Sequence, residues 1–344
     1  GGGEGVELEA RFDAVGDQRA CLARPHPWVR HAEAFLQGMN ASGQRWDAEA
    51  LAAYSQDPSH GQVLRVTVSE GRVFVWQPEG AVGDVRHDYP VENLVDLSAH
   101  VRVPDCDFVM YVADGAPRDN WPYTTPKGPV YIPVFGSDWE PGAKVLLSPS
   151  RSSMNSDFPR ILRKHGRQEW STRQNRAVWR GATTGGEYRK GTWREFTRSR
   201  LVLLARRRPD LLDAGFHLLE AQADPETVGE MRAADMERPK LTYDEQAAFK
   251  VIVVVDGNVN ADRLPAQMSL GSLIVKQDSD KIEHWYSEIR PFEHYIPVRH
   301  DLSDLEATLE RIVAALSRAH APSQAASPAW NAQGLGRAGS GGVG

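Results

Sequence analysis

A buried strand that stops at Asp-Gly, continues into a helix and returns as a second strand is the feature that most constrains this chain. Residues 250–276 read KVIVVVDGNVNADRLPAQMSLGSLIVK, so one apolar run ends at Asp256-Gly257 and another begins after Gly271-Ser272. Two such runs joined by an amphipathic stretch predict the parallel strands of a βαβ unit. Arg263 lies at the predicted start of the helix. This stretch therefore predicts two parallel strands joined by a helix, with the polar residues Asp256 and Arg263 between the first strand and the helix.

The same alternation of strands and helices extends over the rest of the sequence. In the first half we predict helices over 27–40, 47–55 and 89–101, a β-hairpin over 62–78, and short strands within 107–117 and 144–149. In the second half we predict strands over 176–181 and 214–221, and helices over 193–208, 243–249 and 301–318. Alternating strands and helices predict an α/β fold with parallel sheets.

The length of 344 residues suffices for two domains of ordinary size. We predict a poorly patterned segment over 1–25, an α/β domain over 26–165, a second α/β domain over 166–318 and a low-complexity tail over 319–344. The tail is rich in Ala, Ser, Pro and Gly, and such a composition cannot bury enough apolar surface to become ordered. Two facing domains would bring their strand ends to a common cleft.

Charge and composition exclude several classes of protein. A net charge of −6 and a pI near 6.0 argue against a nucleic-acid-binding protein, which needs a basic face. The two cysteines, Cys21 and Cys106, are too few for a disulfide framework or a four-cysteine zinc site. We find no apolar run long enough to span a membrane and no signal-peptide pattern. We take the GGGEG start as a sign that an upstream segment has been removed.

Polar residues follow three of the predicted strands, at the edge where α/β sheets bind ligands. These are Asp114, Arg180-Gly181 and Asp256-Gly257, with the hydroxyls of Thr183 and Thr184 close to the second pair. Arg180 and Arg263 are candidates for a diphosphate site, because a guanidinium binds phosphate oxygens in a bidentate manner. An ion-paired surface arginine is the alternative for each. Asp114 is either a general base or a residue of an Asp-Gly turn.

Common catalytic motifs are absent from the sequence. It contains no glycine-rich dinucleotide fingerprint, no Walker loop, no HExxH zinc motif and no GxSxG nucleophile elbow. Asp278 and Asp280 follow an apolar run, which is the placement of a paired-carboxylate metal site for a nucleotide sugar. A polar turn explains the same two residues.

Three segments together resemble glycosyltransferase family 90, which contains capsule-associated proteins and Rumi-like protein O-glucosyl- and xylosyltransferases. The segments are AVWRGATT, the unit FKVIVVVDGNVNADRLPAQMSLGSLIVK and HWYSEIRPFEHYIPVRHDLSDL, and the resemblance covers roughly residues 89–310. It implies a GT-B fold, in which two Rossmann-like domains face a central cleft. It also implies inverting transfer of glucose, xylose or a similar sugar from a UDP-sugar, without a cofactor and usually without a metal.

The resemblance assigns roles to single residues. Asp114 matches the general base, in an acceptor-side domain over 26–165. Arg198 and Arg263 match the arginines that hold the UDP diphosphate in the domain over 166–318, with Arg200 as the alternative to Arg198. The full predicted set for the donor is Arg180, Gly181, Thr183, Arg198, Gly257, Arg263, Gly271 and Ser272, and no metal ligand is predicted.

The sequence departs from the family pattern in ways that keep other functions open. Asp262 would lie beside the diphosphate, the loop between Arg180 and Arg198 is long, and the low-complexity tail replaces the expected closing helices. A degenerate member that binds a nucleotide sugar or glycan without turnover is therefore an alternative. A metal-dependent transferase using Asp278 and Asp280 is another. The acceptor is a protein or a glycan hydroxyl, and the compartment is the secretory lumen in a eukaryote or the cytoplasm in a bacterium.

Overall fold

The computed structural model describes residues 6–8, 32–33, 36–37, 39–41, 48–57, 62–76, 85–115, 123–125, 128–130, 132–141, 143, 145–150, 158–165 and 169–319. The predicted tail beyond residue 319 and nearly all of the predicted segment 1–25 lie outside the described residues. Much of the predicted helix over 27–40 does so too, although the described residues within it are helical.

The first part of the described chain forms a mixed sheet. Its strand order is β1-β3-β2-β4-β7-β8, formed by Val6–Leu8 (β1), Val63–Ser69 (β2), Arg72–Trp76 (β3), Cys106–Tyr111 (β4), Val134–Gly136 (β7) and Leu146–Leu147 (β8). A separate two-stranded sheet pairs Tyr123–Thr125 (β5) with Gly128–Val130 (β6). The helices of this part include Ala48–Gln56 (α1), Val85–His100 (α2) and Phe158–His165 (α3).

The predicted hairpin over 62–78 is confirmed as β2 and β3. Glu70 and Gly71 connect these strands with φ angles of 50° and 77°, and such a turn matches the twist of a hairpin. β1 and β4 also pair antiparallel with their neighbours in the hairpin, whereas β4, β7 and β8 pair parallel. The predicted parallel pairing is thus confined to one end of this sheet, because the two-residue turn of the hairpin, which was also predicted, forces its strands to be antiparallel.

The second sheet is parallel throughout its described strands. Its order is β10-β9-β11-β12-β13, formed by Gln174–Ala182 (β9), Leu212–Leu218 (β10), Phe249–Val254 (β11), Leu273–Gln277 (β12) and Ile296–Val298 (β13). The chain thus starts at β9, adds β10 on one side and then returns to add β11, β12 and β13 on the other. The crevice between the carboxyl ends of β9 and β11 is a topological switch point, where open α/β sheets bind ligands.

Helices cover both faces of the second sheet. Side chains from Thr197–Arg207 (α4), Pro225–Ala233 (α5) and Leu305–Ala319 (α8) pack in one core with Val251 and Val253. Residues of α3 and Leu264–Met268 (α7), together with Ala247 after Tyr243–Gln246 (α6), pack in another core with Ile252 and Val254. β11 is buried on both faces, which explains its uninterrupted apolar sequence. None of the described helices is long and apolar enough to cross a membrane.

The two sheets are connected by a junction between two loops. Trp139, after β7, and Ile282, after β12, exchange two backbone hydrogen bonds of 2.9 and 2.8 Å. The Ser150 hydroxyl donates to the Glu283 carboxylate from the same side of the junction. This junction brings the loop after β4 to the carboxyl edge of the second sheet.

Candidate active site

Arg198 lies at the switch point and binds the ends of both strands that form it. It extends from the first turn of α4, and its guanidinium donates to the Ala182 carbonyl at 2.8 Å and the Thr184 hydroxyl at 2.6 Å, beyond β9. Its Nε donates to the Asp256 carbonyl at 2.8 Å, beyond β11. Arg200, the predicted alternative, is exposed on the same helix. The structure therefore brings Arg198, and not Arg200, to the site.

One of two predicted glycines allows this close approach. A Cβ atom on Gly257 would lie 2.5 Å from the Thr184 hydroxyl and 2.6 Å from Nη2 of Arg198, which is closer than van der Waals contact permits. A Cβ on Gly181 would lie 2.3 Å from the Trp179 ring. The missing side chain at Gly257 thus leaves space for Arg198 and Thr184 at the site, whereas the missing side chain at Gly181 leaves space for the Trp179 ring in the core.

Arg263 adds a second guanidinium whose hydrogen-bonding capacity is largely unused. Its Nε and Nη2 atoms are buried and have no hydrogen-bond partner among the described residues. Burial lowers its pKa, while the charges of Asp262, Tyr243 and Asp256 act in the opposite direction. Burial, followed by the positive charge of Arg263, lowers the pKa of Arg198 to about 10. The two guanidinium groups therefore interact electrostatically.

A third cation, Lys276, lies buried near the end of β12. Its ammonium is 5.0 Å from the centre of the Tyr286 ring, and burial lowers its pKa. Asp256 interacts electrostatically with Lys276, Arg198 and Arg263. Arg198, Arg263 and Lys276 thus place three cations at this edge of the sheet, where the carboxylates of Asp256, Asp262 and Asp278 offset part of their charge. Sequence reasoning missed Lys276, although its place at the end of a predicted strand could have indicated it.

Arg180 and Thr183 lie near the site but are committed to other contacts. Arg180 pairs with the Asp213 carboxylate at 2.8 Å, donates to the Pro239 carbonyl at 3.0 Å, and has a side chain only 7% exposed. The buried Thr183 hydroxyl donates to the Leu219 carbonyl at 2.6 Å. Both residues thus bind the β9 region to β10 and to the segments that follow it. We therefore leave them out of the set that faces a ligand.

Gly271 and Ser272 lie at the opposite edge of the sheet from Gly257. They precede β12, and parallel strands place their amino ends together, so five residues of strand, roughly 17 Å, separate them from the carboxyl edge. The Ser272 hydroxyl donates to the Phe249 carbonyl and accepts from Arg173. Gly271 has a φ of 72°, which suits the turn after α7. The structure does not bring this predicted pair to the site.

Asp114 reaches the site from the first sheet. It follows β4, and its exposed carboxylate accepts a 3.4 Å hydrogen bond from Nδ2 of Asn258, next to Gly257. Gly115, with a φ of 89°, turns the chain at this point. Asp114 thus faces the loop after β11, and the predicted base and the predicted arginines meet at one cleft.

Two buried carboxylates beside Asp114 were not predicted. Asp138 is 8% exposed, and burial raises its pKa to about 7, aided by the charges of Glu283, Asp114 and Asp262 and opposed by a hydrogen bond from Ser137. Glu283 is 1% exposed, and its pKa is also raised by burial. No local sequence pattern indicated either residue, because the junction between the sheets creates their environment.

The remaining predicted carboxylates are distributed around the site. Asp262 is exposed, yet its charge acts on both arginines. Asp278 and Asp280 are exposed after β12. Among the described residues, no group of three His, Cys, Asp or Glu side chains is arranged to hold a metal ion. The helix that follows Arg263, α7, has only five residues, so its dipole is small.

The fold and the site define a class of protein in which a parallel α/β sheet places cationic side chains at its switch point. The family profile of glycosyl transferase family 90 matches residues 150–328, which is more than half of the chain. The chain belongs to this family, as the sequence resemblance predicted.

Several characterised and uncharacterised proteins are similar to this chain. Protein O-glucosyltransferase 3 of Rattus norvegicus is 28% identical over 227 residues, which cover 62% of this chain and 40% of that protein. Protein O-glucosyltransferase 2 of Danio rerio is 28% identical over 230 residues, covering 64% and 41%. Uncharacterized protein 035R of Invertebrate iridescent virus 3 is 36% identical over 172 residues, covering 44% and 15%. The chain therefore spans well under half the length of these relatives.

Proposed function

We propose that this protein is an inverting glycosyltransferase that moves a sugar from a UDP-sugar to a hydroxyl of a protein or glycan acceptor. The observation that carries the proposal is the buried pair Arg198 and Arg263 at the switch point, with unused N–H groups on Arg263, opposite the Asp114 carboxylate. A cationic site faces a base across a cleft. This is the pairing that a displacement with an anionic leaving group needs.

The chemistry divides between the two sides of the cleft. Asp114 takes the proton of the acceptor hydroxyl as that oxygen attacks the anomeric carbon of the donor sugar. The bond between this carbon and the diphosphate oxygen breaks, its electron pair leaves with UDP, and the configuration inverts. Arg263 and Arg198 stabilise the negative charge that grows on the departing diphosphate. Because two guanidinium groups can supply this charge, we propose that no metal ion is required.

The finer architecture is part of the same proposal. We assign residues 26–165 to the acceptor side and 166–318 to the UDP-sugar side of a GT-B-like arrangement. The transferred sugar is glucose or xylose, and a protein hydroxyl is the first acceptor to test, because relatives are named protein O-glucosyltransferases.

A panel of UDP-sugars tests the donor assignment. Thermal unfolding and donor hydrolysis are measured with UDP-glucose, UDP-xylose, UDP-galactose and UDP, each with and without EDTA. We expect stabilisation by UDP and slow, EDTA-resistant hydrolysis of one donor. A lack of binding to every uridine nucleotide would reject the donor site, and loss of hydrolysis in EDTA would favour the metal-dependent alternative with Asp278 and Asp280.

The variant Asp114→Asn separates turnover from binding. It keeps the size of the side chain but removes the base, so we expect UDP affinity within about twofold of wild type and turnover lower by at least about 10²-fold. Turnover that survives the change would show that another group is the base. Donor binding without turnover by the wild type, with every candidate acceptor, would favour the degenerate binding protein.

A further inference from the structure

Asn258 is the one described side chain that hydrogen-bonds both to Asp114 and to a loop of the second sheet. Its Nδ2 donates to Oδ2 of Asp114 at 3.4 Å, and its Oδ1 accepts from the backbone N–H of Gly185 at 2.9 Å. Its own carbonyl accepts from Nζ of Lys281 at 2.7 Å. The side-chain amide therefore spans the cleft between the two sheets.

The amide of Asn258 satisfies both partners of this side chain at once. The Gly185 N–H is a donor, shared between Oδ1 of Asn258 and Oε1 of Gln222, whereas the Asp114 carboxylate accepts and needs a donor. This requirement fixes the orientation of the Asn258 amide, since a reversed amide would point an oxygen at the carboxylate. The residue thus has a chemical requirement beyond filling space.

The environment of Asp114 contains other charged and titratable groups. Tyr111 on β4 has a pKa raised by burial and by the negative charge of Asp114. Asp138, after β7, interacts electrostatically with Asp114, and Lys281, after β12, lines a small cavity shared with Asp138 and Gly115. Among the described residues, the hydrogen bond from Asn258 is the one side-chain contact to the Asp114 carboxylate that the geometry defines.

We propose that Asn258 is a positioning residue. It holds the Asp114 carboxylate at a fixed position relative to the Gly185 loop, and thereby relative to the carboxyl edge of the second sheet, where the donor is proposed to bind. The inference rests on the proposed function, because it gives Asp114 the role of base. Asn258 itself takes no proton and acts only through Asp114.

The variant Asn258→Asp tests this role by reversing one contact. It keeps the shape and the acceptor for Gly185, but it sets a second carboxylate against Asp114. Two adjacent carboxylates cannot both ionise readily, so the acidic limb of the kcat–pH profile should move up by at least about one pH unit. We expect kcat to recover as the pH rises, with the KM for the donor within about twofold of wild type. Asn258→Ala should lower kcat at every pH without moving the limb.

Gln222→Glu is the matched control. Oε1 of Gln222 accepts from the backbone N–H groups of Gly185 and Gly186 at 3.1 and 3.3 Å, so it holds the same loop from the other side. The change also converts an amide to a carboxylate, but this side chain makes no described contact with Asp114. We expect its pH limb to stay within about 0.3 units of wild type. An equal shift in both variants, or none in Asn258→Asp, would reject the inference.

A second readout does not depend on turnover. The titration of the Asp114 carboxyl carbon is followed by NMR in protein labelled at aspartate, and the resonance is assigned by its loss in Asp114→Asn. The apparent pKa of this group should rise by at least about one unit in Asn258→Asp and not in Gln222→Glu. If the wild type turns over no donor, the proposed function fails while this titration still decides the role of Asn258. An unchanged titration would reject the inference even in an active enzyme.

Discussion

Neutralising Asp138 should change how the stability of the protein depends on pH. Burial raises the pKa of this carboxyl from 3.8 to about 7, so the folded state retains a proton that the unfolded state loses. The stabilising contribution is therefore complete below about pH 4 and declines as the pH rises to about 7, by about 1.4 kcal/mol per pH unit. Between pH 5 and pH 8, the contribution of this group to the free energy of unfolding of the wild type should fall by about 2.5 kcal/mol.

The variant Asp138→Asn removes this dependence while keeping an acceptor for the hydroxyl of Ser137, which donates at 2.8 Å. From pH 5 to pH 8, the free energy of unfolding of Asp138→Asn should rise by about 2.5 kcal/mol relative to that of the wild type, since an amide carries no proton that titrates there. Urea unfolding followed by tryptophan fluorescence at both pH values measures the difference. Asp280→Asn, at an exposed carboxylate, is the control and should show no such gain. A constant difference between Asp138→Asn and wild type would refute the reasoning, because it would mean that burial does not hold the proton.

Two further variants separate stability from donor binding. Arg180→Ala breaks a buried ion pair and should lower the free energy of unfolding by about 3 kcal/mol, while UDP affinity measured by calorimetry stays close to wild type. Gly257→Ala places a Cβ 2.6 Å from the Arg198 guanidinium, so it should lower stability by about 1–3 kcal/mol and also weaken UDP binding. Equal losses of UDP affinity in both variants would contradict the division between Arg180 and Arg198.

The elements whose signals are local could be predicted from the sequence. The βαβ unit over 250–276 and the hairpin over 62–78 carry their periodicity and turn residues within short stretches, and both are present. The sequence also predicted polar residues beyond the carboxyl ends of strands in the second sheet, the edge where α/β folds bind ligands, and Asp256-Gly257 lies there. Family resemblance favoured a base over an ordinary turn residue for Asp114, and this role stays a prediction.

The features that depend on distant contacts could not be predicted. Arg180 pairs with a carboxylate 33 residues away, and Glu283 accepts from a serine 133 residues away, so neither environment has a local signature.

Gly271 and Ser272 are a different case. They precede a strand parallel to the one that Gly257 follows, so strand direction alone assigns them to opposite edges of the sheet. The resemblance supplied their position in the motif but not their place in the sheet.

The unused guanidinium of Arg263 provides the most direct test of the account. Calorimetry of UDP is performed on wild type, on Arg263→Met, which keeps the bulk but removes the charge, and on Arg180→Lys as the control. We expect Arg263→Met to lose roughly 10- to 100-fold in UDP affinity, as charge-assisted hydrogen bonds to the diphosphate are removed. Its thermal stability without ligand should not fall, because the change removes a charged group whose buried Nε and Nη2 atoms have no described hydrogen-bond partner. Unchanged UDP affinity in Arg263→Met, or no binding of UDP by the wild type, would contradict the central claim that this edge of the sheet holds the donor.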